Sequence, residues 1–315
     1  MTFVNDKLAI IIPAYKDAFL DKALGALASQ TCQNFMVYIG DDASPYDIIS
    51  IVEKYQDRLH LVYHRFDDNI GGRNLVGQWE RCIALSQGEP WIWLFSDDDE
   101  IEPSCIESFY AEIQKSDKYE LYHFDVDIID GDSNLYVQQR TPFPQWFSSK
   151  EFIIKKLKGE IASYVVEYIF SRECYDKLGG FQNYDLAWGS DDATWIKFGL
   201  ANGIKTIKGP KVRWRLSNLN ISPNNNNRNI VLRKVEADLV HISYMNKIWP
   251  HNKLQNLQLL YVEASWFCSM LNAYKTVLNH KEVRQYLSRY SKIVGVPFLT
   301  WPLVVLVKIM KMRHG

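Results

Sequence analysis

Short apolar runs alternate with stretches of helical periodicity along the first part of the chain. Three apolar runs predict buried strands at residues 8–15, 35–40 and 59–63. Between them, apolar residues recur at helical spacing over 19–29 and 48–55. This β-α-β-α-β order predicts a parallel sheet with right-handed crossovers. The pattern therefore places the chain in the α/β class.

A further apolar run, residues 91–95, leads through Ser96 into three consecutive aspartates, Asp97, Asp98 and Asp99. The run is apolar on both faces, as in a buried parallel strand, and ligands bind at the carboxyl ends of such strands. Neighbouring carboxylates repel one another unless a cation neutralises them. Oxygen ligands suit Mg²⁺ or Mn²⁺, which also bind substrate phosphates, so the run predicts a metal site. An exposed acidic turn before a helix N-terminus is the alternative interpretation.

A glycine-containing turn at residues 68–74 precedes a predicted helix. Its glycines would let the backbone approach a ligand, and Arg73 has the charge to meet a phosphate or a base. A plain loop and helix cap is the alternative interpretation. The sequence has no GxGxxG dinucleotide signature and no GxxxxGK[ST] phosphate loop. Neither NAD chemistry nor ATP hydrolysis is therefore indicated.

The second part of the chain continues with sheet elements and ends in helices. The predicted elements are a helix at 106–113, strands at 119–129 and 162–170, a hairpin turn at 131–134, and a final strand with its exit at 203–207 and 212–215. The asparagine-rich stretch 218–228 predicts a mobile loop that would close over a bound substrate. From residue 230 onward, apolar residues at helical spacing predict a helical extension.

The tail at residues 294–313 is apolar and then basic. It combines Trp301 with Lys308, Lys311 and Arg313, a composition that suits the surface of an anionic membrane. A C-terminal helix that covers the core is the alternative interpretation. No apolar run in the sequence reaches the length of a membrane-spanning helix.

Composition narrows the functional classes. The chain has 315 residues and a net charge of −1, so it has no overall basic field for nucleic acid. Its five cysteines are scattered without the spacing of zinc ligands, which predicts free thiols in a reducing cytoplasm. The apolar run at 8–12 is too short for a secretory signal, so we expect a cytoplasmic protein.

Four motifs stand in a characteristic order. They are Ile-Ile-Pro-Ala-Tyr ending at Tyr15, Asp-Asp-Ala-Ser from Asp41, Asn-x-Gly-Gly from Asn69, and Ser-Asp-Asp-Asp-Glu-Ile-Glu-Pro from Ser96. Together they resemble the family 2 glycosyltransferases over residues 7–222, and they look closest to bacterial enzymes of surface-polysaccharide or lipopolysaccharide O-antigen synthesis. The resemblance implies inverting transfer on a GT-A fold, with Mn²⁺ or Mg²⁺ as cofactor.

The resemblance also implies roles for residues that follow the strands. Donor binding falls on Pro13, Ala14, Tyr15, Asp42, Asn69, Arg73, Asp97, Asp98 and Arg215, and metal binding on Asp97, Asp98 and Asp99. Ser96 stands where the family often has its first aspartate, so the division of metal and ribose contacts among the aspartates stays open. The turn that carries Arg73 is shorter than the usual family form, and the arginine of the final motif is kept in Arg215 without the usual histidine.

A second acidic motif lies on the acceptor side. Leu-Gly-Gly-Phe from Leu178, followed by Asp191 and Asp192, resembles the family's Gly-Gly-Phe…Glu-Asp block, in which the aligned Asp192 is the catalytic base. Inversion needs a base that deprotonates an acceptor hydroxyl, while a metal neutralises the leaving group. A carboxylate beside another carboxylate has a raised pKa, which improves it as a base. The alternative interpretation is a helix cap formed by Ser190 or Asp191.

The sequence thus predicts a GT-A catalytic domain at 1–222, with a nucleotide-sugar half at 1–105 and an acceptor half at 106–222, and a helical extension at 223–315. The donor is a nucleoside-diphosphate sugar, with a UDP-sugar favoured, and the acceptor a saccharide or lipid-linked saccharide. Peripheral contact of the tail with the inner membrane and assembly into a homo-oligomer are further partner hypotheses. A nucleotidyltransferase and a non-catalytic nucleotide-sugar-binding relative are the alternative functions.

Overall fold

The computed structural model describes residues 8–115, 118–138, 142–217, 225–251 and 253–313. The strands are β1 Leu8–Ala14, β2 Phe35–Asp41, β3 Leu61–Arg65, β4 Trp91–Leu94, β5 Glu100–Ile101, β6 Leu121–Ile129, β7 Leu135–Gln138, β8 Trp146–Phe147, β9 Tyr168–Ser171 and β10 Ile204–Arg215. The α-helices are α1 Leu20–Ala28, α2 Ile48–Glu53, α3 Leu75–Ile83, α4 Cys105–Ile113, α5 Ser149–Leu157, α6 Arg172–Leu178, α7 Ser190–Phe198, α8 Arg228–Ile248, α9 Leu257–Ala273, α10 His280–Ile293 and α11 Thr300–Arg313.

The chain forms two compact units. The first comprises residues 1–152, 161–183 and 194–219 and contains the sheet, and the second comprises 153–160, 184–193 and 220–315 and is largely helical. The second unit therefore includes two short segments from within the predicted catalytic domain. The predicted loop at 218–228 lies outside the described residues up to residue 224.

The first unit is built on one mixed sheet with strand order β3-β2-β1-β4-β9-β6-β10-β5. The edge β3-β2-β1-β4 is parallel throughout, which confirms the alternation predicted from the first hundred residues. β9 runs antiparallel to both β4 and β6, while β6 and β10 pair in parallel. The α/β fold class is confirmed, and the antiparallel insertion of β9 makes the sheet mixed.

Several predicted boundaries move in the structure. The strand predicted at 59–63 lies at Leu61–Arg65, and the one predicted at 162–170 is reduced to Tyr168–Ser171. The two segments predicted at 203–207 and 212–215 form the single strand β10, whose register against β6 shifts between Ile207 and Val212.

The centre of the sheet is an aromatic core. Trp93 on β4 is fully buried and stacks on Phe124 of β6, with the ring centroids 5.4 Å apart. Its indole N–H donates to the backbone carbonyl of Val166 at 2.6 Å, so the large side chain leaves no unpaired polar atom in the core. This packing fixes β4. It thereby sets the direction in which the loop that carries Asp97, Asp98 and Asp99, the aspartate loop, leaves the sheet.

The second unit confirms the helices predicted after residue 230. It contains a buried polar chain: Nδ1 of His251 lies 2.7 Å from Oδ1 of Asn246, and Nε2 lies 3.2 Å from Oε2 of Glu263. Both ionisable side chains are fully buried, so the pair is shielded from solvent and each group depends on its partner. Among the described residues, no helix is long and apolar enough to cross a membrane.

We predict that His251→Ala destabilises the protein strongly. The substitution removes the imidazole that lies 3.2 Å from the buried Glu263 carboxyl, and removing one member of a buried pair costs about 3–5 kcal/mol. Urea unfolding followed by circular dichroism measures the loss.

Glu236→Ala is the matched control, because it breaks the exposed ion pair with Arg289, whose side chains are about half accessible. That change should cost less than about 1 kcal/mol. Equal, small losses for both variants would contradict the structural role of His251.

Candidate active site

The parallel edge of the sheet brings three chain segments together. β1 is hydrogen-bonded to β2 on one side and to β4 on the other, with Ala14 opposite Asp41 and Ile11 opposite Leu94. Because parallel strands end at the same edge, the segments that follow them meet there. Those segments carry Tyr15, Asp42 and Asp97 to Asp99, which is the arrangement expected from the sequence.

Asp97 ties the loop after β4 to the end of β1. Its Oδ2 accepts hydrogen bonds from the backbone N–H groups of Tyr15 and Lys16, both at 2.9 Å. Burial and the neighbouring Asp98 nevertheless raise the pKa of Asp97 to about 6. Pro13 and Ala14 lie within β1, and Tyr15 is 41% exposed at its end.

Asp99 ties the same loop to β10. Its Oδ1 accepts from the backbone N–H of Arg215 at 2.7 Å. Burial, followed by Asp98, raises the pKa of Asp99 well above its usual range. The side chain of Asp98 accepts a short hydrogen bond from the hydroxyl of Ser96. Ser96, which replaces an aspartate of the family pattern, therefore supports Asp98.

The three aspartates could supply some, but not all, of the ligands of a metal ion. Among the described residues, no three His, Cys, Asp or Glu side chains converge as a set that would hold a metal alone, and Asp97 and Asp99 each commit one oxygen to backbone N–H groups. Burial first, and then the neighbouring charge of Asp98, raise the pKa values of Asp97 and Asp99. A divalent ion held by one or two carboxylates and by substrate phosphates matches this donor set.

Asp41 at the end of β2 and Asp42 just after it are committed to protein contacts. The Asp42 carboxylate accepts from the backbone N–H groups of Ile70 and Gly71 at 2.9 Å each, and from Arg81 at 2.5 Å. A Cβ on Gly71 would lie 2.6 Å from Oδ2 of Asp42, which explains the glycine. Asp41, which the sequence did not single out, is fully buried. Asp42 therefore organises the glycine turn, and its predicted nucleotide contact stays a prediction.

The predicted donor residues of the glycine turn lie near its surface. Asn69 accepts from the backbone N–H of Gly72 at 3.3 Å, and the Arg73 guanidinium donates to the carbonyl of Asn69 at 3.2 Å. Arg73 is 76% exposed at its side chain. Asn74 caps α3 by accepting from the N–H of Gly77, so the alternative of a loop and helix cap accounts for this end of the turn.

Arg215 is a structural support of the aspartate loop. Its side chain is fully buried, and the guanidinium donates to the carbonyl of Asp98 at 2.7 Å and to that of Asp130 at 2.5 Å. It also pairs with Glu100 and lies over the ring of Phe19. These contacts give Arg215 a structural role within the protein, and its predicted part in donor binding stays a prediction.

The glycine pair of the acceptor motif has a backbone reason. Gly179 ends α6 in the left-handed region at φ +74°, and Gly180 follows at φ +67°. A Cβ on Gly180 would lie 2.5 Å from Oε1 of Glu80, which accepts from the N–H of Phe181 at 2.6 Å. These contacts fix the turn that leads toward the second acidic motif.

Asp191 and Asp192 lie in the first turn of α7 and belong to the second unit. Burial, followed by the charge of Asp192, raises the pKa of Asp191 to about 6, while Lys156 opposes the rise. The Asp192 carboxylate forms an ion pair with Lys156 through Oδ1. The hydroxyl of Ser190 accepts from the backbone N–H of Tyr184 at 3.0 Å, so Ser190 secures the segment before the helix.

No role was predicted for Lys156 or for His241. His241 is buried on α8, and burial, followed by Lys156, lowers its pKa to about 4, while Asp191 opposes that change. A signal was present in α8, since Lys234, Asp238 and His241 interrupt its apolar positions at helical spacing and are all buried. Lys156 lies close to Asp192 only through the tertiary structure, so no local sequence pattern indicated the pair.

Comparison with curated proteins finds partial matches. The chain is 41% identical over 69 residues to the validoxylamine A glucosyltransferase of Streptomyces hygroscopicus subsp. limoneus, covering 21% of this chain and 15% of that protein. It is 33% identical over 97 residues to the poly(ribitol-phosphate) beta-N-acetylglucosaminyltransferase TarS of Staphylococcus aureus (strain Mu50 / ATCC 700699), covering 30% and 16%. The matched segments thus span about a sixth of each relative.

Solved structures match nearly the whole chain. S. aureus TarS 1-349 in complex with UDP-GlcNAc superposes with a TM-score of 0.58 at 16% identity, covering 93% of this chain and 90% of that one. The mannosyltransferase PcManGT from Pyrobaculum calidifontis, in complex with GDP-Man and Mn²⁺, gives a TM-score of 0.52 at 14% identity, covering 99% and 88%. At these identities the comparison establishes the GT-A fold.

A family-level comparison covers the parallel half of the sheet and the segments that lead to the acceptor motif. The sequence profile described as glycosyl transferase family 2 matches residues 9–178. Because this match spans more than half of the 315 residues, the chain belongs to glycosyl transferase family 2.

Proposed function

We propose that this chain is an inverting glycosyltransferase that moves a sugar from a nucleoside-diphosphate sugar to a hydroxyl of a saccharide or lipid-linked saccharide, in cell-surface polysaccharide synthesis. The observation that carries the proposal is the aspartate loop, which is held between β1 and β10 at the edge where β1, β2 and β4 end. This edge is where α/β sheets bind nucleotides.

The donor site follows from the same loop. Structural neighbours bind UDP-GlcNAc, or GDP-Man with Mn²⁺, which supports a nucleotide-sugar and a divalent ion here. We assign the metal first to Asp98, because Asp97 and Asp99 each give one oxygen to backbone N–H groups and keep only the other for the ion. When bound, the ion would neutralise the leaving diphosphate. A UDP-sugar remains the favoured donor.

The base is assigned to Asp192, with Asp191 beside it. Both residues are half-buried, and their position in the first turn of α7 keeps both carboxylates on a rigid element, as a catalytic group requires. A nucleotidyltransferase would need a glycine-rich basic loop after β1, and the residues there are Ala14, Tyr15 and Lys16. A non-catalytic binder has no use for a second acidic pair, so the enzyme is the better account.

A lipid-linked acceptor would suit an enzyme that touches the membrane. The side chains of Phe298 and Trp301 are 77% and 74% exposed at the start of the tail. Residues 294–313 contain three basic residues and no acidic one. Exposed aromatic groups followed in sequence by basic residues are typical of a protein segment that binds anionic lipid, so we propose peripheral contact through this tail.

We predict that Asp192→Asn abolishes transfer while donor binding persists. Loss of a general base lowers turnover by about 10²- to 10⁴-fold, since the amide cannot accept the acceptor proton. Release of nucleoside diphosphate in the presence of acceptor measures turnover, and the donor-induced rise in melting temperature measures binding.

Asp185→Asn is the control for that variant, because Asp185 lies in the same segment and is paired with Arg233 at the surface. Its activity should match that of the unmodified protein. Full activity of Asp192→Asn would exclude the assignment of the base.

Metal removal should weaken donor binding. A ligand that binds only the folded state raises the melting temperature by mass action, so UDP with Mn²⁺ or Mg²⁺ should raise it more than UDP with EDTA. Asp98→Asn should lose the metal-dependent part of the rise and keep the part that UDP gives alone. Equal rises with metal and with EDTA would argue against a metal-assisted donor site.

The tail should direct the protein to anionic vesicles. We expect sedimentation with phosphatidylglycerol vesicles, weaker sedimentation with neutral vesicles, and about tenfold weaker binding of the Phe298→Ser, Trp301→Ser double variant, since each aromatic side chain contributes apolar burial. Tyr136→Ser, which changes an exposed aromatic residue on β7, is the control. Identical binding by all three proteins would refute the role of the tail.

A further inference from the structure

Lys156 joins the candidate base through a shielded ion pair. Its ammonium group contacts Oδ1 of Asp192, and the two side chains are 22% and 14% exposed. Lys155 and Lys158 instead pair with Glu160 at the surface, where the side chains are 36–43% exposed. Charges that are partly removed from solvent are screened less by salt, so Lys156 is the lysine of this segment with a strong effect on the acidic motif.

Three elements of the second unit contribute charge around this pair. Lys156 comes from α5, Asp191 and Asp192 from α7, and His241 from α8. Lys156 lowers the pKa of Asp191 and that of His241, and Asp191 acts in the opposite direction on His241. Because the pKa of His241 is lowered to about 4, its ring is neutral near pH 7. Lys156 therefore offsets part of the negative charge of Asp191 and Asp192.

The two oxygens of Asp192 differ in their surroundings. Oδ1 accepts from Lys156, and among the described residues no hydrogen bond reaches Oδ2. A carboxylate with one oxygen fixed has a defined orientation and keeps the other oxygen for a substrate hydroxyl.

We infer that Lys156 is a positioning residue for sugar transfer, which holds Oδ1 of Asp192 so that Oδ2 takes the acceptor proton. The inference rests on the proposed role of Asp192. In the step concerned, the acceptor O–H bond breaks and its proton passes to Oδ2, a bond forms between the acceptor oxygen and the anomeric carbon, and the bond from that carbon to the diphosphate breaks, with its electron pair leaving on the diphosphate.

The test compares Lys156→Met with Lys156→Arg and with the surface control Lys158→Met. We expect Lys156→Met to lower kcat by about 10- to 100-fold, as for a misplaced catalytic group, with the donor-induced rise in melting temperature unchanged. The acid limb of the pH profile should move to higher pH, because the charge that favours the ionised carboxylates is gone. Lys156→Arg should recover most of kcat, and Lys158→Met should match the unmodified protein.

The outcomes separate this inference from the proposed function. If Asp192→Asn is inactive while Lys156→Met keeps the original kcat and pH profile, the positioning role is overturned and the base assignment stands. If Asp192→Asn is fully active, the base assignment itself is overturned, and the inference falls with it. Should Lys156→Met fail to fold, Lys156→Ser carries the test, since its hydroxyl is polar but too short to reach Oδ1. An unchanged kcat and acid limb in that variant overturn the inference, and a kcat lowered by about tenfold or more together with a shifted acid limb supports it.

Discussion

Repulsion among the buried carboxylates of Asp97, Asp98 and Asp99 is the constraint on which the rest of the first unit depends. Burial and mutual charge raise the pKa of Asp97 and Asp99, so the loop carries an electrostatic cost in the folded state. The protein offsets part of this cost with backbone N–H groups at Tyr15, Lys16 and Arg215. The divalent cation proposed for the donor site would offset the remainder.

The order of strands follows from the need to hold that loop at both ends. β1 lies beside β4 and supplies the N–H groups for Asp97, while β10 reaches the loop from the far side of the sheet. The register of β10 against β6 shifts after Ile207 and resumes at Val212, and Arg215 stands at the end of the strand. The buried guanidinium of Arg215 then closes the network by binding the carbonyl of Asp98. Fold and site are therefore one hydrogen-bonded system.

The parts that were predictable from sequence are those with a local signal. Strands β1, β2 and β4 are apolar runs because both faces are covered, and the aspartates stand where polarity changes at a strand end. The antiparallel direction of β9 and the support role of Arg215 depend on contacts between residues far apart in the chain, and no local pattern encodes them. Lys156 was missed for the same reason, since the pairing partner lies 36 residues away.

The two acidic motifs show different solutions to the same electrostatic problem. The aspartates after β4 are restrained mainly by N–H groups, which leave net negative charge for a metal ion to neutralise. The pair on α7 receives a full positive charge from Lys156, so it has less need of an external cation. A site that binds a metal must keep negative charge that the protein does not neutralise. A catalytic base, in contrast, must stay ionised and keep one oxygen accessible. The difference in partners matches the different chemistry proposed for the two motifs.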